Sequence, residues 1–129
     1  MSSQIKLRGT TGKLNDQFVP YLLNMASVYI DCCQYDKAQS ILLFLQKKAK
    51  LNPEQTEQSM LLQSMILFHK SEFKKCVNIS LKIYKTTNDE AIQRYLLLTI
   101  NKCFVALKGR TEAKKYLNAY LNKLNKYGK

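Results

Sequence analysis

The chain holds one histidine, His69, four cysteines, Cys32, Cys33, Cys76 and Cys103, and nine carboxylates. Any nucleophile–imidazole couple would have to run through His69. That residue stands beside Lys70 at the end of an apolar stretch, the place of a surface or part-buried ring. The cysteines form no C-x-x-C and no cluster with histidine, so the spacing of a zinc site is missing. They lie among apolar residues in helical patterns, as buried thiols in a reducing compartment do. The acids are Asp16, Asp31, Asp36, Glu54, Glu57, Glu72, Asp89, Glu90 and Glu112. Most fall at helix starts or turns, where a carboxylate complements the helix dipole. No pair is set for acid–base work, and no glycine-rich phosphate loop occurs. The expectation is a non-enzymatic chain with no catalytic residues, no cofactor and no metal.

Charge narrows the partners. The net charge is +12, and 18 of the 21 basic residues are lysine, against Arg8, Arg94 and Arg110. Base-specific DNA readers lean on arginine forks, so this balance speaks against sequence-specific DNA binding. Residues 102–129 carry seven lysines and Arg110 against Glu112 alone, with Tyr116, Tyr120 and Tyr127 interleaved. That segment keeps a basic RNA-associated role as an alternative. No signal-peptide pattern opens the chain, and no apolar run approaches the ~18 residues of a membrane span. A soluble, cytoplasmic protein is expected.

The elements that position these residues read as helices. The 129 residues include four Gly and two Pro and are 46% apolar, which suits one all-α domain with a sizeable core. Residues 1–15 show no periodicity and read as a flexible arm. A first helix is expected from Asp16, as N-cap, with Leu22, Met25, Ala26, Tyr29 and Ile30 at 3/4 spacing. A second covers about Tyr35 to Lys50, with Ala38, Ile41, Leu42 and Leu45 as its stripe. Asn52-Pro53-Glu54 is a restart: an N-cap, proline at N1 and an acid in the first turn. The third helix stops near Lys70, and Ser71-Glu72 opens the fourth. Thr87 through Glu90 fits a capping box that opens the fifth, and Gly109 is its left-handed stop. The sixth restarts at Thr111-Glu112. Its core stripe is Ala113, Tyr116, Leu117, Tyr120, Leu121 and Leu124, with fraying towards residues 127–129.

The helices echo one another in pairs. Tyr35-Asp36-Lys37-Ala38 matches Phe73-Lys74-Lys75-Cys76, 38 residues on, and Arg110-Thr111-Glu112-Ala113, 37 further. Upstream, Tyr29 matches Leu67 and Phe104, and Ala26 matches Ser64 and Asn101. Small residues at such positions let two helix backbones approach, while the aromatic rings wedge the angle between them.

This pattern resembles the tetratricopeptide repeat over about residues 18–124, best in the first copy at Ala26, Tyr29, Tyr35, Ala38 and Pro53. The resemblance implies an all-α, right-handed antiparallel helix-pair solenoid of about three repeats, six helices, over residues 16–126. It further implies that the first helix of each pair lines a concave groove. The lining positions would be Leu23, Ser27 and Ile30, then Leu61, Met65 and Phe68, then Leu98, Lys102 and Val105. Lys102 is the single basic residue among them, so a clamp for acidic carboxyl-terminal tails is not expected. The mainly apolar trough suits an amphipathic or apolar segment of a partner protein. In size, arm and trough the chain is similar to the cytoplasmic tetratricopeptide-type chaperones of bacterial type III secretion, which shield aggregation-prone subunits before export. The expected function is therefore a protein-binding chaperone or adaptor. The alternative is a structural subunit of a larger assembly. Oligomeric state is not legible.

Overall fold

A computed structural model describes residues 17–127. The arm expected over residues 1–15, the Asp16 cap, Gly128 and Lys129 lie outside the described residues. Among those described there are six α-helices and no strand: α1 Phe18–Asp31, α2 Tyr35–Lys48, α3 Pro53–His69, α4 Phe73–Thr86, α5 Glu90–Ala106 and α6 Arg110–Tyr127. No helix among them is long and apolar enough to cross a membrane.

The contacts divide the chain into two compact units. The first runs to Ile66 and the second begins at Leu67, so the boundary falls inside α3. In the first unit α1 packs on α2. Val19, Leu23, Ala26, Ala38, Leu42 and Leu45 are almost fully buried there, joined by Leu62 and Ile66 of α3. In the second unit α5 packs on both α4 and α6. Its core centres on Cys76, Val77, Ile100 and Cys103, with Phe68, Phe73, Phe104 and Tyr116 packed against them.

One turn is built three times. α1, α3 and α5 each end in the same two hydrogen bonds. The Gln34 N–H donates to the Tyr29 carbonyl (2.8 Å) and the Cys33 N–H to Ile30 (2.9 Å). Glu72 N–H donates to Leu67 (2.9 Å) and Ser71 to Phe68 (3.0 Å). Gly109 N–H donates to Phe104 (2.8 Å) and Lys108 to Val105 (3.1 Å). This is the Schellman closure, a six-to-one bond around an inner five-to-two bond, and it needs a left-handed residue at the corner. That residue is Cys33 (φ 61°), Ser71 (φ 62°) and Lys108 (φ 63°), spaced 38 and 37 residues apart. The residues whose carbonyls close the outer bond are Tyr29, Leu67 and Phe104, the same trio that the sequence aligns. Gln34, Glu72 and Gly109 then accept the first bond of the next helix, from Ala38, Cys76 and Ala113. Those three small residues are buried, at 0, 0 and 7% exposure.

Three local expectations are corrected. Gly109 is not the left-handed residue; Lys108 is. Glycine serves the next position for space, because a Cβ there would meet Glu112 Oε1 at 3.1 Å and Phe104 Cδ1 at 3.2 Å. Thr87 does not cap α5. Asp89 does, its Oδ1 accepting from Ala91 N–H (2.9 Å) and Ile92 N–H (3.3 Å). Thr87 instead ends α4, and its buried hydroxyl accepts from the Asp89 N–H at 3.2 Å. Two capping residues stand two positions apart, and the chain enters α5 at the second of them. The apolar residues of α6 do not form one buried stripe: Tyr116 and Tyr120 are half-buried, while Leu117, Leu121 and Leu124 are exposed.

The restart at Asn52 is found as expected, with one addition. Asn52 Oδ1 accepts from the Gln55 N–H (2.7 Å), and Gln55 Oε1 accepts from the Asn52 N–H (3.1 Å). Gln55 thus completes a reciprocal capping box.

Candidate protein-binding surfaces

The residues expected to line a groove have diverse surroundings. Leu23 is fully buried and Ile30 nearly so, both inside the first core, so neither offers a face to a partner. Ser27, Leu61, Met65, Phe68 and Leu98 are half-buried. Met65 packs against the first core and Phe68 against the second. Phe68 also meets the Phe73 ring edge-on at 5.6 Å. Lys102 and Val105 are exposed, Val105 at 62%. The register explains the split. Ala26 is fully buried, and residues three before and four after it on a helix share its inward face.

The open apolar surface of α1 lies one step around the helix. Tyr21, Asn24, Met25, Val28 and Tyr29 line an open depression of about 450 Å³. Tyr21 is 61% and Val28 58% exposed, and the two stand on the same side of the helix. Position 21 is followed by 25 and 28, so the three form a continuous ridge down one helix face. Lys37 of α2 sets its ammonium 5.6 Å from the Tyr29 ring centre, a cation–π contact at the rim. The sequence carried the signal for this surface, in the 21/25/28 spacing. It was obscured because 22, 23, 26 and 30 form a stronger apolar stripe beside it.

In the second unit, Asn101 takes the place held by small Ala26 in the first copy. Its Nδ2 donates to the Ala113 carbonyl at 2.6 Å, tying α5 to α6. Tyr116 stacks on Phe104 with ring centres 5.8 Å apart and planes 11° from parallel, and Lys115 lies 5.5 Å from the Tyr116 ring centre. The Tyr116 ring is thus engaged within the protein, which weakens its case as a platform for stacked bases. Lys123 donates to Gln93 Oε1 at 3.1 Å.

Cys76 and Cys103 are buried side by side in the second core, as reduced thiols. The hydrogen bond between them, together with burial, holds the Cys103 thiol well above the usual thiol range. The same hydrogen bond lowers Cys76, against the opposing effect of burial. Partial desolvation raises the Tyr95 phenol, against a hydrogen bond to Thr99 that lowers it, while 39% of the residue stays exposed. Cys32 and Cys33 are exposed on the α1–α2 turn. Among the described residues no group of three or more metal-ligating side chains gathers. His69 is exposed and meets the Phe68 ring edge-on at 5.8 Å.

Comparison with protein-family models, with curated proteins and with solved structures finds no match to this chain.

Proposed function

We propose that this chain is a non-enzymatic protein-binding module, a chaperone or adaptor, that holds an apolar or amphipathic segment of a partner protein. The observation that carries the reading is the line of exposed Tyr21 and Val28, with half-buried Met25 between them, over an open depression on α1. Such a surface costs solubility unless a partner covers it. The thrice-built helix-to-helix turn supports the architectural half of the proposal, a tetratricopeptide-like array of helix pairs in a right-handed solenoid. Arrays of that kind serve as scaffolds that present helix faces to other proteins.

The binding face is assigned to this ridge rather than to the Leu23–Ile30 line, whose ends are in the core. The likeness to type III secretion chaperones is one of size, expected arm and trough, and it carries no signature motif. The proposal therefore stays at the level of a binding module in the cytoplasm.

The test is a double substitution at exposed positions, Tyr21→Ser with Val28→Glu. Proteins that co-purify with the tagged chain from its native cell would be quantified by mass spectrometry for both forms. A partner lost at least tenfold with the variant, while helicity stays unchanged, supports the reading. A full complement of partners retained by the variant overturns it. Met65→Glu and Phe68→Glu are poorer probes, because both side chains also support the two cores.

A further inference from the structure

The last helix, α6, has two faces. One packs against α5 through Ala113, Tyr116 and Lys123. The other carries Leu117, Leu121 and Leu124, exposed at 37, 43 and 39%. These leucines continue a line that begins at Arg110 and Lys114, both exposed, so the spacing along the helix is 4, 3, 4, 3. That alternation is the seam of a coiled coil, where successive side chains enter holes on a facing helix. From residue 110 to 124 the seam is about 21 Å long at 1.5 Å per residue.

Charge selects the occupant. Between Arg110 and Tyr127 there are five cations and one acid, Glu112, and the first two places of the seam are themselves cationic. A second copy would bring the same cations, and the whole chain carries +12. In a parallel pair, Arg110 and Lys114 would face their own counterparts. Three part-exposed leucines offer far less than the ~800 Å² per partner of a standard interface, too little to offset that repulsion. A helix with a leucine or isoleucine seam flanked by Asp and Glu satisfies both the spacing and the field.

We propose that the outer face of α6 docks an acidic amphipathic helix of another protein, with the partner's apolar seam on Leu117, Leu121 and Leu124 and its carboxylates against Arg110 and Lys114. This surface is separate from the α1 ridge and does not depend on it.

The test uses the full chain and four labelled probes, read by fluorescence anisotropy at physiological salt. One is a 21-residue helical peptide with leucine at the seam and Glu on its flanks. The second replaces Glu by Lys, the third keeps Glu but has serine at the seam, and the fourth is a single-stranded RNA of matched charge. The first peptide should bind and the other three should bind at least tenfold more weakly. Leu117→Gln with Leu121→Gln, and separately Lys114→Glu, should each weaken the first peptide tenfold or more. Leu124→Gln alone, at the far end, should weaken it severalfold and serves where the double variant loses helicity. Val28→Glu should leave this binding unchanged, which separates it from the α1 reading. Equal binding of the serine peptide or of the RNA would reduce the face to a diffuse basic surface and overturn the proposal. So would binding that survives the leucine substitutions, or a dimer in sedimentation that Leu121→Gln dissolves.

Discussion

Replacing the left-handed corner residues by glycine should make the protein more stable. A side chain with a Cβ held at positive φ costs about 1–2 kcal/mol relative to the right-handed regions. Glycine removes that cost, but its greater freedom in the unfolded chain takes back about 0.5–1 kcal/mol. Ser71→Gly and Lys108→Gly should therefore each gain about 0.5–1 kcal/mol. Both side chains are exposed, so little packing is lost. Cys33→Gly should gain less, because the Cys33 thiol is hydrogen-bonded to Tyr35. For a chain of 129 residues, 1 kcal/mol corresponds to roughly 3–5 °C in Tm. Each of the two cleaner variants should thus melt about 2–5 °C higher, followed by circular dichroism at 222 nm. Cys32→Gly is the control, since Cys32 sits at φ −91° and has no strain to relieve. Lys108→Val should lower Tm, because a β-branched residue resists positive φ more than lysine does. If Ser71→Gly and Lys108→Gly melt at or below the parent while Cys32→Gly does not differ from them, the turns are not closed as described.

Three further outcomes are expected. Asn101→Ala should cost about 1–2 kcal/mol in urea unfolding, since it strips the Ala113 carbonyl of its 2.6 Å donor; Asn101→Asp should cost more, by setting a carboxylate against that carbonyl. Native protein should yield two fast thiols to Ellman's reagent, Cys32 and Cys33, with Cys76 and Cys103 reacting only on unfolding. Stability should fall as pH rises above about 8.5, where the unfolded chain releases a thiol proton that folded Cys103 retains, and should fall further above about 10 as the unfolded chain releases that of Tyr95. The lowered Cys76 opposes this trend only in part, and Tyr95→Phe should flatten the decline above pH 10. A stability that rises from pH 8.5 to 11 would contradict the buried thiol pair.

Much of the helical framework is legible in the residues. Asn52-Pro53 marks a start by chemistry alone, and the 3/4 spacing of Leu22, Ala26, Tyr29 and Ile30 marks a helix with one buried side. The pairing of Ala38 with Cys76 and Ala113 is legible because each must be small where two helices cross. Other features are not. Nothing about Cys33, Ser71 or Lys108 as residue types announces positive φ, since only backbone closure demands it. The α5 cap is ambiguous because Thr87 and Asp89 both can cap, and only the course of the chain chooses between them. On α6, aromatic and leucine positions lie within half a turn of one another, so periodicity cannot say which of them faces α5. The burial of Leu23 and Ile30 was hidden for a related reason: both flank buried Ala26, and a rotation of one residue separates an outer face from a core.

The three Schellman corners have a consequence for how this chain can change over time. Cysteine, serine and lysine differ in size, charge and polarity, yet they occupy equivalent corners with φ equal to within 2°. The resemblance among the copies is therefore stored in dihedral angles and main-chain bonds, which mutation does not rewrite directly. Unbranched residues can replace one another at these sites at a similar cost in backbone strain, so long as a small or matching residue remains where the helices cross. A lineage built this way can lose its internal likeness on paper long before it loses it in space.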